Sequence, residues 1–244
     1  MLYIRLKKTV KSIFPKKILY HIEPCLRLIW SVFYLGRKHQ CNVCNMHLSH
    51  FIIFNTDELM CPRCGSLRRS RRLFALINNC LDDTSNVLHF SPERSLSSKL
   101  RKLLNNRYIT SDYAGEFQAD KHFDLRQTGE ADTKYGLIIC YHVLEHIEED
   151  AKAINELYRI LKPGGKCLLQ TPFREGEIYE DFSIRTPEGR TEAFGQWDHV
   201  RVYSAEGLAE RLRAAGFRVE ILTFDAGDTK LALIDGEIVL VATK

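Results

Sequence analysis

Four cysteines in two close pairs carry the clearest chemistry in the sequence. Cys41 and Cys44 form one C-x2-C pair, Cys61 and Cys64 form the other, and sixteen residues separate the pairs. Each tight turn directs two thiolates toward one point, and a tetrahedral zinc ion takes four thiolates from two such turns. Gly65 supplies backbone freedom after the second pair. We predict a structural zinc ion with no open position; free or redox-active thiols are the alternative.

A second group of reactive side chains lies between residues 174 and 203. Polar, aromatic and cationic residues in one long connection are typical of a lid over a polar ligand. His199, oriented by Asp198, is the first candidate for a general base, and His142 is the second. The alternative for His199 is a structural link between the lid and the core. Arg201 is expected to hold an anionic ligand or to pair with an acid of the same segment.

A folded domain must position these side chains. The sequence after residue 82 alternates strand-like with helix-like segments. Such alternation predicts a mostly parallel sheet covered on both faces, with ligands beyond the carboxyl ends of the strands. The predicted strands are 87–90, 108–111, 136–141, 166–171, 217–223 and 238–243, and the predicted helices are 96–104, 150–161 and 205–215.

Composition and charge limit the class of protein. Hydrophobic content of 45% and charged content of 27% are ordinary for a globular protein. The net charge is +4, and residues 1–40 hold nine Lys or Arg against one acid, so the rest of the chain is net negative. Nucleic acid is therefore the less favoured partner. The spacing of the eight cysteines is not that of a secreted disulfide framework and indicates a reducing, cytoplasmic setting.

We divide the chain into a basic amphipathic helical arm (1–40), a zinc ribbon with a connecting helix (41–81) and an α/β domain (82–244). The arm is predicted to form helices split at Pro15 or Pro24. It either packs on the main domain or rests on an anionic membrane surface, at the periphery of the membrane. The arginine-rich segment 68–72 is predicted to be the solvated start of a helix, with phosphate contact as the alternative.

The segment YGLIICYHVLEHIEEDAKAINELYRILKPGGKCLLQTPF, residues 135–173, resembles the second half of the class I S-adenosylmethionine-dependent methyltransferases. The order of elements after residue 82 is also similar to that family. The resemblance implies a Rossmann-like domain with a mostly parallel seven-stranded sheet and S-adenosylmethionine as cofactor. The basic arm and the ribbon lie outside it.

The loop after the first strand departs from the usual family pattern, which has an acid and a glycine-rich turn. Here His89 stands near the position of that acid, which makes it and Ser91 candidate cofactor contacts, and Ser91, Pro92 and Glu93 replace the glycines. The sequence LHFSPE resembles a variant found in one branch of the family, which also carries a segment like FGQWDHVR (194–201). We expect Ser91 to cap the next helix and Glu93 to accept from the cofactor's ammonium group. A plain turn with a surface glutamate is the alternative.

Other cofactor contacts follow from the resemblance. Asp112 stands where the family places an acid on the ribose hydroxyls, and Asp124 where an acid meets the adenine. Tyr141 and His142 end a strand and are expected to face the methionine chain and the transfer site. Glu145 and His146 are expected to serve the local helix turn.

The resemblance implies an S-adenosylmethionine-dependent methyltransferase. The polar lid and the basic arm favour a polar small molecule, sugar or glycan precursor as acceptor. RNA or protein methylation, with the zinc ribbon binding the polymer, is a second hypothesis. A non-catalytic binding protein with a degenerate cofactor loop is a third.

Overall fold

The computed structural model describes residues 16–55, 58–82, 84–225 and 227–244. Two compact units make up the chain. The first contains residues up to 79 together with residues 226–235, and the second contains residues 80–225 and 236–244. The inclusion of 226–235 in the first unit was not anticipated from the sequence, where this segment lies between two strands of the α/β domain.

The described residues of the first unit form two α-helices and two short antiparallel ribbons. In chain order these elements are α1 (Lys16–Ser31), β1 (Leu35–Gln40), β2 (His47–Leu48), β3 (Ile52–Asn55), β4 (Glu58–Met60) and α2 (Arg68–Ile77). Strands β1 and β2 pair with each other, and strands β3 and β4 form the second pair.

Helix α1 runs without a break through Pro24, so the predicted split at that residue is wrong. An interior proline loses one backbone hydrogen bond, but here it is exposed to solvent. The Glu23–Arg27 ion pair, 2.8 Å between Oε1 and Nε, spans the position. The predicted break at Pro15 and the helical pattern before it lie outside the described residues.

The end of α1 and the turn after it leave large apolar side chains on the surface. Ile29 is 66% exposed and Phe33 is 76% exposed. Within the described part of the chain, no helix combines the length and the apolar character that crossing a bilayer requires.

Helix α2 forms as predicted, but its start is not solvated. Arg71 is completely buried, and its guanidinium donates to the carbonyl oxygens of Ser66 and Leu231, both at 2.8 Å. Arg72 is also buried and donates to the carbonyl of Ile234 at 2.8 Å. Both arginines satisfy backbone carbonyls of the first unit, which excludes them from an exposed phosphate contact.

The second unit is built on a six-stranded sheet. Its strands are β5 (Asn86–Phe90), β6 (Tyr108–Ser111), β7 (Tyr135–Tyr141), β8 (Leu161–Gln170), β11 (Arg218–Phe224) and β12 (Glu237–Thr243). Their order across the sheet is β11-β12-β8-β7-β5-β6; β6, β5, β7 and β8 are mutually parallel, and β12 runs antiparallel to both of its neighbours. The Rossmann-like class is therefore confirmed.

The described sheet has six strands rather than the seven that the resemblance implied. The segment beyond β6 forms only one parallel bridge, between Ser111 and Lys121. The Asp120 carboxylate instead accepts from the Thr110 amide at 3.0 Å and from its hydroxyl at 2.8 Å. Backbone pairing at this edge is limited to Lys121, whose amide donates to the Thr110 carbonyl at 3.0 Å and whose carbonyl accepts from the Asp112 amide at 3.1 Å.

Helices α3 (Arg94–Leu104), α4 (Asp150–Ile160) and α6 (Ala205–Ala214) connect the strands. Leu88 and Phe90 belong to the main apolar core, while His89 between them points to the other face because side chains alternate along a strand. Cys140 and Cys167 are buried in the same core, where burial raises the pKa of both thiols. They behave as the small hydrophobic residues that their positions predicted.

The lid segment, residues 174–203, has secondary structure of its own. Strands β9 (Tyr179–Glu180) and β10 (Arg201–Val202) pair antiparallel, and α5 (Pro187–Phe194) lies between them. The Thr186 hydroxyl caps α5 by accepting from the Gly189 amide at 3.1 Å. The Arg174 amide donates to the Tyr203 carbonyl at 2.9 Å and closes the base of the segment.

Candidate functional site

The carboxyl ends of β5, β6, β7 and β8 meet at one edge of the sheet, and the candidate residues of the second unit cluster there. Parallel strands place their last residues on the same edge, which is where α/β sheets bind ligands. Two residues at this edge, Ser91 and His142, have φ angles of +48° and +54°. Non-glycine residues rarely adopt this conformation, and it is found preferentially at functional positions.

The loop after β5 turns sharply at Ser91. Its amide donates to the Ser111 carbonyl at the end of β6, at 2.8 Å. Helix α3 begins at Arg94 with Glu93 as its N-cap residue, and no side chain caps it. The expectation that Ser91 caps this helix is therefore wrong, because Ser91 lies two residues before the cap. The Glu93 carboxylate accepts from the Ser95 hydroxyl.

His89 is buried beside Tyr108, not exposed at the edge. Only 2% of its surface is accessible, and its Nδ1 lies 2.7 Å from the Tyr108 hydroxyl. Burial lowers the pKa of His89 to about 3, so the ring is neutral at physiological pH. The structure gives His89 a packing contact between two strands, and its assignment to the cofactor contacts stays a prediction.

Asp112 follows β6 directly and is 3% exposed. Its Oδ2 accepts from the Phe117 amide at 3.1 Å, and its carbonyl contacts Nδ1 of His122 at 2.7 Å. These contacts fix the carboxylate at the end of the strand within the 112–122 loop. Its position agrees with the expected one, and its ribose contact stays a prediction.

Asp124 lies in the irregular segment between β6 and β7, where it forms an isolated bridge with Gln127 and an ion pair with Arg126. The closest ion-pair distance is 2.6 Å, and the same arginine reaches Glu149 at 3.1 Å. Hydrogen bonds from Arg126 lower the pKa of Asp124. The neighbouring Leu125 is buried in the main core. An adenine contact of Asp124 stays a prediction.

Tyr141 and His142 close strand β7. Tyr141 is buried at the last position of the strand. The His142 amide donates to the Gln170 carbonyl at 2.8 Å, which fixes its unusual backbone. Its Nδ1 lies 3.3 Å from Oε1 of Glu145. Glu145 is 1% exposed, so a buried carboxylate orients the imidazole.

Unpartnered polar atoms are concentrated at this end of β7 and β8. Four such buried atoms are Nε2 of His142, Oε2 of Glu145, Oε1 of Gln170 and Oγ1 of Thr171. Buried polar atoms without hydrogen bonds are costly and uncommon in folded proteins. Their concentration at one edge indicates a place where a ligand supplies the missing partners.

The lid brings Asp198 and His199 to the residues that follow β7. Asp198 Oδ2 lies 3.2 Å from Nδ1 of His146, and its Oδ1 accepts from Gln196 at 2.8 Å. The expectation that Asp198 orients His199 is therefore corrected, because its contacts go to other residues. His199 is 6% exposed, with Nδ1 at 3.3 Å from the Phe194 carbonyl.

Glu145 and His146 were expected to serve a local turn, and their position beside His199 was not predicted. The His146 and His199 rings are 4.7 Å apart between centroids and nearly perpendicular. Burial lowers the pKa of His199, the Glu145 charge opposes that shift, and His146 adds to it. The Val200 amide donates to the Glu145 carbonyl at 2.9 Å and holds the lid to this turn.

Arg201 pairs with acids rather than facing an open ligand site. It is 1% exposed, with Nε at 2.8 Å from Oε2 of Glu180 in the lid. A second ion pair reaches Asp150 at 3.6 Å. Arg211 of α6 bridges the same two acids. Arg201 thus anchors the lid, as the pairing alternative anticipated.

The four cysteines come together in the first unit. The Sγ atoms of Cys41 and Cys64 are 3.7 Å apart, as are those of Cys44 and Cys61. Zinc–sulfur bonds of about 2.3 Å in a tetrahedron give sulfur–sulfur edges of about 3.8 Å. The cluster therefore fits a four-thiolate zinc ion in size. Gly65 closes the second turn with a φ of +83°, as predicted.

Comparisons with known proteins agree with this architecture. Residues 67–221 match a methyltransferase domain family. A probable S-adenosylmethionine-dependent methyltransferase of Mycolicibacterium smegmatis is 31% identical over 100 residues, which are 41% of this chain and 35% of the relative. The chain thus spans about a third of the length of that curated relative.

Solved structures share the fold at low sequence identity. An S-adenosylmethionine-dependent methyltransferase from Archaeoglobus fulgidus is 15% identical, covers 72% of this chain and 93% of its own, and has a TM-score of 0.51. The phosphoethanolamine N-methyltransferase 2 of Haemonchus contortus is 14% identical. The match covers 71% of this chain and 52% of that protein, with a TM-score of 0.50. Because the family match extends over more than half of the sequence, from the start of α2 into β11, the chain belongs to the methyltransferase domain family.

Proposed function

We propose that this chain is an S-adenosylmethionine-dependent methyltransferase that transfers the methyl group at the carboxyl ends of β7 and β8. The observation that carries the proposal is the group of buried, unpartnered polar atoms at that edge, on His142, Glu145, Gln170 and Thr171. A polar acceptor bound there would satisfy these atoms. The family match supports the reaction class.

The cofactor is proposed to lie across the ends of β5 and β6. There the Glu93 carboxylate would accept from the ammonium group, Asp112 from the ribose hydroxyls, and Asp124 would face the adenine. When bound, S-adenosylmethionine supplies an electrophilic methyl group on a sulfonium. The chain's own residues orient the reactants and exclude water from them.

The turn after β5 favours this proposal over a degenerate, non-catalytic loop. Ser91 has a φ of +48° although it is not a glycine, a conformation that costs about 1–2 kcal/mol. The bond from its amide to Ser111 maintains that conformation. The loop thus keeps the backbone turn for which other family members use glycine.

His142 is the proposed general base, in place of His199. Its Nδ1 is held by the buried Glu145 carboxylate, and its Nε2 has no protein partner. A carboxylate that fixes one ring nitrogen leaves the other free to take a proton from the acceptor, as in other histidine–carboxylate pairs. Glu145 is a positioning residue in this scheme.

The lid is proposed to cover the acceptor. Strand β10 of the lid is anchored through Arg201. Asp198 and His199 of the lid lie against the turn that follows β7. An ordered lid of this kind excludes water and fixes the acceptor for in-line attack on the methyl group.

Removal of the Asp112 carboxylate is expected to weaken S-adenosylhomocysteine binding by about 1–3 kcal/mol, the cost of losing charged hydrogen bonds. Titration calorimetry on Asp112→Ala and Asp112→Asn measures this change. Glu116→Gln is the matched control, because it removes an exposed charge from the same loop. Equal affinity in Asp112→Ala and the wild type would place the ribose elsewhere.

The acceptor is proposed to be a polar small molecule, sugar or lipid-linked glycan precursor. The exposed apolar residues at the end of α1, with the basic charge of residues 1–40, support residence on an anionic membrane surface where such precursors occur. RNA or protein methylation remains the alternative.

Labelling a cell extract with S-adenosylmethionine that carries a radioactive methyl group tests this assignment. After fractionation, label is expected in the polar small-molecule or glycolipid fraction, and it is expected to disappear with the His142→Asn variant. Label in RNA or protein instead would support polymer methylation and contradict the assignment.

A further inference from the structure

Two histidines and a glutamate converge at the turn after β7, outside the four-cysteine cluster. Glu145, His146 and His199 each offer one ligand atom, and these atoms all lie within 4.8 Å of one another. We propose that this cluster, the His-His-Glu site, binds a divalent transition-metal ion. The proposal concerns metal binding and holds whether or not the chain transfers methyl groups.

The hydrogen bonds of both histidines leave the same ring nitrogen available. Nδ1 of His146 faces the Asp198 carboxylate at 3.2 Å, and Nδ1 of His199 faces the Phe194 carbonyl at 3.3 Å. Histidines that bind metal donate their other ring N–H to a carboxylate or a backbone carbonyl, which fixes the tautomer and the ring orientation. Both rings have this arrangement, with Nε2 left to bind the ion.

The glutamate provides an independent indication of a ligand. Glu145 is 1% exposed, and while its Oε1 contacts His142, its Oε2 is buried without a partner. A buried carboxylate is costly unless a cation or hydrogen-bond donors compensate it. An ion between this carboxylate and the two imidazoles would supply that compensation.

The donor set selects the class of metal. Two imidazole nitrogens and one carboxylate oxygen suit zinc, cobalt, nickel, iron(II) or manganese, whereas magnesium and calcium prefer oxygen donors alone. Three protein ligands also leave open positions, unlike the four-thiolate cluster. The alternative is a metal-free network in which the histidines and the carboxylate share protons.

Cobalt(II) titration of the full chain, with zinc already filling the four-cysteine cluster, distinguishes these alternatives. We expect one further equivalent to bind, with the visible absorption of nitrogen- and oxygen-ligated cobalt and without thiolate-to-cobalt charge transfer. Elemental analysis of the same samples should show that the zinc remains. The metal-free network predicts no further equivalent, and that result would overturn the proposal.

Single substitutions test which side chains bind the second metal ion. His146→Asn and Glu145→Gln are each expected to abolish the second equivalent, while Asp198→Asn is expected to weaken it by about 10–100-fold through the lost contact to His146. His122→Asn, a histidine outside the cluster in the same unit, is expected to bind cobalt like the wild type. The zinc content and thermal unfolding of each variant report its folding. If well-folded His146→Asn retains the full second equivalent, the site is not the one proposed.

Discussion

Replacing Cys61 with serine is expected to release zinc from the four-cysteine cluster and to unfold the ribbons of the first unit. Structural zinc sites contribute about 10–16 kcal/mol to folding, which is as large as the whole stability of a typical domain. Cys61 is completely buried within 3.7 Å of the Cys44 sulfur. Metal analysis of protein purified without added zinc, together with thermal unfolding, measures both effects.

The matched control for this prediction is Cys25→Ser. Cys25 is an exposed free cysteine of helix α1, so its loss is expected to leave the zinc content at one equivalent. The zinc assignment would fail if the wild type contained almost no metal and its four cluster thiols reacted freely in the native state.

The loss of the His142 imidazole is expected to lower turnover by about 10²–10⁴-fold, the usual contribution of a general base. His142→Asn is the appropriate variant, because asparagine tolerates the positive φ of +54° at this position. Affinity for S-adenosylhomocysteine is expected to change little, since the imidazole is proposed to act on the acceptor. Steady-state kinetics with the acceptor found by labelling, alongside calorimetry, separates the two effects.

His47→Asn serves as the control, because it removes an exposed imidazole from β2 of the first unit, which holds none of the proposed site residues. It is expected to keep the wild-type turnover. If His142→Asn turns over as fast as the wild type, His142 is not the base. If it instead loses cofactor affinity in proportion, its role is binding rather than proton transfer.

Sequence periodicity was sufficient for the framework of the second unit. The predicted strand 108–111 and the predicted helix 150–161 match β6 and α4 almost to the residue, because buried strands and amphipathic helices have distinct repeats. The missing seventh strand was not predictable in this way. At the edge of β6 the Asp120 side chain takes the Thr110 amide, a contact between a side chain and the backbone that hydrophobic periodicity does not reveal.

The location of the candidate site at the edge of the sheet was predicted more accurately than the contacts among its residues. Asp112, Tyr141 and His142 lie at the expected edge because the ends of β6 and β7 determine where they are. The internal pairing of the site depends instead on the lid, whose path across the turn after β7 brings residues more than fifty positions apart into contact, such as His146 with Asp198. The spacing of charged residues along the chain does not encode that path.

The burial of arginines was missed for a related reason. A run of five residues with four arginines is usually solvated, and only the fold shows that Arg71 lies among carbonyl oxygens of the first unit. Burial lowers the pKa of Arg71, while the neighbouring cysteine thiolates oppose that shift. A buried cation beside the cysteine cluster offsets part of the negative charge of the thiolates, which is a property of the assembled unit and not of the segment.

A crystal structure of the full chain with S-adenosylhomocysteine tests the proposed cofactor site most directly. We expect the ligand across the carboxyl ends of β5 and β6, with its ammonium group at Glu93 and its ribose hydroxyls within hydrogen-bond distance of Asp112. The ligand's sulfur is expected to face His142. A ligand bound away from this edge, or no ligand at saturating concentration, would contradict it.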